Sequence, residues 1–182
     1  MRHGGAILHA PTGRAHWRTD EQESPFALKC AAKEDHLLGG IVRGMYNQNY
    51  TREQIDEVLG KIKYCVENGS YTISLNENRQ ENIDFINEYN ITTKKQRQLL
   101  LGITTDDFCH SLKNKRKGFE HETLYVFVPT VVLKDAYNNP VSLNVYTKFN
   151  IIETRRGDFT VVISFHKLNR PIKRAFECKV EG

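Results

Sequence analysis

The apolar period of this chain changes once, from helical spacing to strict alternation, and that switch restricts its fold more than any other feature. Thr51 stands three residues before Gln54, the spacing of a capping box. Ile55, Val58, Leu59, Ile62, Cys65 and Val66 follow at intervals that put them on one side of a helix. Asn68-Gly69 predicts its end, because glycine takes the left-handed turn that closes helices. Tyr71–Ser74 reads as a short extended piece. Asn76 can cap a second helix reaching Tyr89, with Ile83, Ile86 and Tyr89 as its apolar stripe. Thr92 or Thr93 opens a third, from Lys94 to Leu101, ending at Gly102. Thr104-x-x-Asp107 is another capping signature and predicts a short helix through Leu112.

Beyond that point the period becomes two. Thr123–Leu133 is apolar on both faces, as expected of one central strand. Asp135 to Pro140 reads as a turn. Val141, Leu143, Val145, Phe149 and Ile151 then alternate with Ser142, Asn144, Tyr146, Lys148 and Asn150, which gives a strand with one buried and one polar face. Arg155-Arg156-Gly157-Asp158 is the next turn. The last strand is expected to carry Phe159, Val161, Ile163 and Phe165 on one side and Thr160, Val162, Ser164 and His166 on the other. Helices first and an antiparallel meander afterwards predict an α+β fold, the N-terminal helices packing on the sheet.

The chain has 182 residues, enough for one domain with a real core. Its composition shifts near Met45, from Ala, Gly and His to Asn, Lys, Ile and Tyr. Residues 1–44 are therefore expected to be an appended or poorly structured leader, and 45–182 the functional domain. A native extension with one short helix near residues 25–32 is the alternative. Cys30, Cys65, Cys109 and Cys178 are scattered, with no disulfide or zinc spacing, so they read as thiols of a reducing compartment, and no metal or other cofactor is expected. No apolar run is long enough to span a bilayer, and a cytoplasmic protein with no membrane partner is the expectation. The formal charge is +4, and the basic residues cluster. Lys113 and Arg116 lie in one group, Arg155, Arg156 and Lys167 in another, and both are candidates for phosphate contacts as well as for solvated faces.

Strand parity makes a geometric prediction. Tyr146 and Lys148 share one face of their strand, and Ser164 and His166 the polar face of the next. Hairpin pairing would set those faces side by side, with Glu122 entering from the first strand and His110 overhanging from its short helix. Glu120 and His121 sit nearby, though His121, between two glutamates, reads as a surface residue. RNA cleavage by its own 2′-hydroxyl needs a base for that hydroxyl, donors for the phosphorane oxygens and an acid for the departing 5′-oxygen. Imidazole serves the first and third, because its pKa of about 6.5 lies near working pH. Lysine and arginine serve the second, and tyrosine can hold a phosphate or stack on a base.

Four motifs, in order, carry a resemblance. They are Leu101-Gly-Ile-Thr-Thr-Asp-Asp-Phe108-Cys-His-Ser-Leu112, His121-Glu-Thr-Leu-Tyr125, Val145-Tyr-Thr-Lys-Phe-Asn-Ile151 and Val162-Ile-Ser-Phe-His166-Lys. With this spacing the stretch from Thr51 to Lys167 resembles MqsR-type toxins, RelE-like messenger RNA interferases of type II toxin–antitoxin systems. The resemblance implies a RelE-like α+β fold. It also implies Tyr146 and Lys148 at the family's functional tyrosine and lysine. His110 and His166 stand where the family carries lysines, and Glu122 stands where it carries a glutamine. The two histidines exchange fixed charges for groups that shuttle protons, and Glu122 exchanges an amide for a carboxylate.

Two readings follow. The first is a metal-independent endoribonuclease toxin that leaves a 2′,3′-cyclic phosphate and a 5′-hydroxyl. In it His110 and His166 are acid and base in either order, and Glu122 and Tyr146 are orienting groups. Lys148, Lys167, Lys113, Arg116, Arg155 and Arg156 are its phosphate contacts. Its partners, implied by the resemblance, are messenger RNA and a cognate antitoxin, with dimerisation inside the toxin–antitoxin complex left open. The second is a non-catalytic nucleic-acid-binding or partner-sequestering protein on the same scaffold.

Overall fold

The computed structural model describes residues 46–177, so the expectations for residues 1–44, for a helix near 25–32 and for Cys30 and Cys178 lie outside the described residues. Helix α1 (Arg52–Glu67) begins where Thr51 accepts a hydrogen bond from Gln54 N and Gln54 caps Thr51 N in return. It buries Ile55, Leu59, Ile62, Cys65 and Val66. Asn68 closes it, and Gly69 takes φ +70°, a value that glycine reaches without strain. Strand β1 (Tyr71–Ile73) follows, then a single 3-10 turn capped by Asn76 that leads into helix α2 (Gln80–Glu88). Helix α3 (Thr93–Leu101) is capped by the Thr92 side chain and ends at Gly102.

The helix expected from Thr104 to Leu112 is corrected. Asp107 Oδ2 does accept from Thr104 N and Oγ1 (2.8 and 2.9 Å), but only one 3-10 turn forms (Thr105–Asp107). The chain then becomes strand β2 (Phe108–Lys113). Phe108 and Cys109 are both fully buried, Phe108 in the helical core and Cys109 in the small cluster with Val126 and Val128, so this terminal strand is covered on both faces. The single strand expected over Thr123–Leu133 is also corrected. Pro129 lacks the amide that a continuing ladder needs, and it separates β3 (Thr123–Phe127) from β4 (Thr130–Lys134). Strands β5 (Pro140–Thr154) and β6 (Gly157–Lys167) complete the sheet of the described residues.

The strand order is β1-β6-β5-β3-β2, with β4 paired separately to the first part of β5. Strands β2, β3, β5 and β6 run antiparallel in turn, as a meander should, but β1 joins β6 in parallel, so the sheet is mixed. One face packs on the helices. Ile55, Leu59, Ile62, Phe85 and Leu100 meet Phe108, Phe127, Phe149, Val162 and Phe165 there, with edge-to-face ring pairs such as Phe127–Phe149 (5.8 Å).

The even–odd assignment of β6 needs a third correction. Lys148 pairs with Ser164 but Phe149 with Val162, so Ile163 is an extra residue in a β-bulge. Val162 and Phe165 both reach the helical core, and Phe159 and Val161 fall on the opposite face from Phe165. Past the end of β1, the outer edge of β6 is met by Asn82 of α2. Its Nδ2 donates to Ser74 O and Ile163 O (2.8 and 3.2 Å), and its Oδ1 accepts from Phe165 N (2.8 Å). A side-chain amide thus replaces the missing neighbouring strand. The other sheet face is crossed at one end by the segment after β6, where Leu168 and Ile172 pack near Cys109, Val126, Val128 and Tyr146.

Candidate functional site

Antiparallel partners share a face, so the register itself assembles the site on the sheet surface away from the helices. Tyr146 lies opposite His166 and Lys148 opposite Ser164, as parity predicts. Lys148 also pairs with Val126 of β3, and Val126 with His110 of β2. One row across the sheet therefore reads His110, Val126, Lys148, Ser164. His110 reaches this face as a strand residue, not from a helix.

His110 is only 7% exposed. The Tyr46 ring lies over it at a centroid distance of 4.2 Å. Burial, with the Lys148 charge adding to it, pushes the His110 imidazole down to about 4, so the ring is neutral at pH 7. Lys148 Nζ lies 5.8 Å from the centre of the Tyr146 ring, a cation over an aromatic face. Tyr146 in turn packs on His166, with ring centroids 5.2 Å apart. Glu122 joins this face through Asn150: its Oε2 accepts from Asn150 Nδ2 and Asn114 Nδ2 (2.8 and 2.6 Å). Asn150 Oδ1 is buried without a hydrogen-bond partner.

His110 and His166 share the face but do not meet. They stand three strands apart, so strand spacing alone puts their Cα atoms roughly 15 Å from each other. His166 is held toward the far edge. Its Nε2 is 3.3 Å from Glu81 Oε2 of α2, and its Nδ1 is 2.9 Å from the Lys167 carbonyl oxygen. Both ring nitrogens are thus engaged by acceptors.

The other predicted cations are dispersed. Lys167 and Lys113 take the parity opposite to His166 and His110, toward the helical side. Lys167 approaches Glu88 and the Tyr89 hydroxyl, and Lys113 donates to His121 O and Thr123 Oγ1. Arg155 and Arg156 form the two-residue tip of the β5–β6 hairpin, where Thr154 faces Gly157, several residues along the strand from Lys148. Arg116 lies over the Phe119 ring in the loop that joins β2 to β3. Glu120 and His121 are exposed in that loop.

Sequence reasoning missed Tyr46 and Glu81 as members of this surface, and it put Asn150 on the polar face without giving it a part in the site. Asn150 was legible, since it lies two residues from Lys148 on the same strand. Nothing local marks Tyr46 or Glu81, because each arrives from an element distant in sequence. Cys109 and Cys65 are buried free thiols, and burial pushes Cys109 up to about 12, which keeps it protonated and inert. Among the described residues, no group of three or more His, Cys, Asp and Glu side chains is placed to hold a metal ion, and no helix is long and apolar enough to cross a membrane. Comparison with protein-family models, curated proteins and solved structures finds no match to this chain.

Proposed function

We propose that the sheet face bearing His110, Lys148 and Tyr146 binds messenger RNA in the cytoplasm and cuts it without a metal, as a RelE-like interferase of the MqsR type does, under the control of an antitoxin. The observation that carries this reading is the His110–Lys148 row. It holds a neutral imidazole and, across Val126 on the same face, an ammonium group whose charge the imidazole feels. A phosphodiester bound there offsets the Lys148 charge that depresses His110, and the imidazole becomes a better base as substrate arrives.

His110 then takes the proton of the 2′-hydroxyl as its oxygen attacks phosphorus. Lys148 stabilises the charge gathering on the non-bridging oxygens. Tyr146 holds the phosphate or a flanking base. The bond to the 5′-oxygen breaks, leaving a 2′,3′-cyclic phosphate on one fragment and a 5′-hydroxyl on the other. The departing 5′-oxygen takes its proton from solvent, to which His110 later returns its own, because His166, roughly 15 Å from His110 and held by Glu81 at the far edge, does not reach the same phosphodiester. No water is consumed in this step.

The engagement of both His166 nitrogens favours a second reading, in which the same surface binds RNA or sequesters a partner without cutting. A fluorescent single-stranded RNA incubated with the protein in EDTA separates the two. Fragments ending in cyclic phosphate, lost in His110→Ala and strongly reduced in Lys148→Ala, are the result expected for a nuclease. RNA retained intact by the protein assigns the binding role instead. Cleavage undiminished in His110→Ala rejects its role as the base.

A further inference from the structure

Tyr46 belongs to no helix or strand of the fold, yet its position is fixed by a set of specific bonds. Its neighbour Asn47 exchanges both backbone hydrogen bonds with Ser111 (2.8 Å each), a single antiparallel bridge on the outer edge of β2. Gln48 Nε2 donates to Cys109 O at 2.7 Å, and the Tyr50 and Ser111 hydroxyls are 2.8 Å apart. This pairing turns Tyr46 onto the face that carries His110. A ring used for core packing would be buried, but Tyr46 remains 48% exposed while covering an imidazole that is nearly inaccessible. Among the described residues, the other exposed aromatic rings, Tyr64 and Tyr137, lie on α1 and in the β4–β5 turn.

We propose that Tyr46 is a stacking platform for one nucleobase of single-stranded RNA, set over His110 so that the adjoining phosphodiester falls between His110 and Lys148. The proposal rests on the reading of this face as an RNA surface, and it names the form of RNA that the surface takes. A base can lie flat on a half-exposed ring only when it is free of a duplex, and such stacking tolerates any base because each has a π face. Tyr146, further along the face with Lys148 above it, is the second aromatic surface that a strand crossing the sheet would meet. Arg170 and Lys173 are exposed on the segment that borders the same end, which supplies positive charge along the route.

The test uses a fluorescein-labelled oligoribonucleotide, 2′-O-methylated so that it binds but cannot be cut, titrated with the full chain and read by anisotropy. Tyr46→Ala is expected to weaken binding about ten-fold, the usual scale for losing one stacked base. Tyr46→Phe and Tyr46→Trp keep the ring and are expected to restore it. The same strand annealed to its complement is expected to bind more weakly than the single strand. Equal affinity of wild type and Tyr46→Ala, failure of both ring-bearing variants to restore binding, or a duplex bound as tightly as the single strand overturns the platform. Wild-type binding with this Tyr46 dependence, but no cutting of unmodified RNA, removes the nuclease reading and leaves the platform standing. A wild-type chain that binds neither probe overturns both.

Discussion

Asn82 is the polar side chain on which the sheet edge most depends, and replacing it isolates the worth of a side chain acting as a strand. It is 1% exposed and makes three hydrogen bonds, to Ser74 O, Ile163 O and Phe165 N. Asn82→Ala removes all three and leaves the Phe165 amide buried without an acceptor beside a bulge that already interrupts the ladder. An orphaned buried donor costs about 1–3 kcal/mol, and two carbonyls losing a donor add a smaller amount, so a destabilisation of about 2–4 kcal/mol is expected. Asn82→Asp is the sharper variant. It keeps the acceptor for Phe165 N but turns a carboxylate oxygen toward two carbonyls. The buried carboxyl is then stabilised in its protonated, donating form, so its pKa rises. Relative to wild type, the aspartate variant should be least stable at neutral pH and recover as pH falls through that raised pKa. Urea unfolding at pH 7 and near pH 5 measures both effects. If Asn82→Ala unfolds within about 0.5 kcal/mol of wild type, which is the scale of ordinary surface substitutions, the edge-capping argument is wrong.

Three further perturbations have defined outcomes. His110 is neutral in the fold, so as pH falls from about 6.5 to about 4 the unfolded chain takes up a proton that the folded chain refuses; wild type should lose up to about 3 kcal/mol across that window, and His110→Gln should not show this loss in pH-dependent urea melts. Phe149→Ala empties a fully buried site beside Phe127 and should cost about 3–5 kcal/mol by the same measurement. Gly157 closes the β5–β6 hairpin at φ +109°, so Gly157→Ala should destabilise by about 1–2 kcal/mol, whereas alanine at Gly60, an exposed helical position with open space around it, should be neutral or stabilising in thermal unfolding.

The helices were legible because their caps and stripes agree: Thr51 with Gln54, Thr92 before Thr93, and glycine or asparagine at the ends. The polar face was legible from parity alone, since antiparallel partners must share a side and Tyr146 and Lys148 are two residues apart. What parity could not supply is the bulge at Ile163, because an extra residue leaves no mark in an apolar run. The Thr104–Asp107 signature was read correctly as a cap and wrongly as the start of a helix through Leu112. A buried strand and a buried helical turn look alike over five or six apolar residues, and the cap governs only the first turn. Asn82 was hidden for another reason. A polar residue between Glu81 and Ile83 looks like part of a solvated face until the unpaired edge of β6 is known to lie beside it. The separation of His110 from His166 likewise depends on strand order, which no local pattern encodes.

The parallel contact of β1 with β6 joins segments about 90 residues apart, far more distant than the hairpin pairs of the rest of the sheet. During synthesis, Tyr71–Ile73 leaves the ribosome long before Thr160–Val162 exists to receive it. The early helices must wait, with their apolar stripes uncovered, until nearly the whole described chain has emerged. A chain halted before Gly157 should therefore be sticky and protease-sensitive despite carrying α1, α2 and α3, and folding should complete late and in a single step.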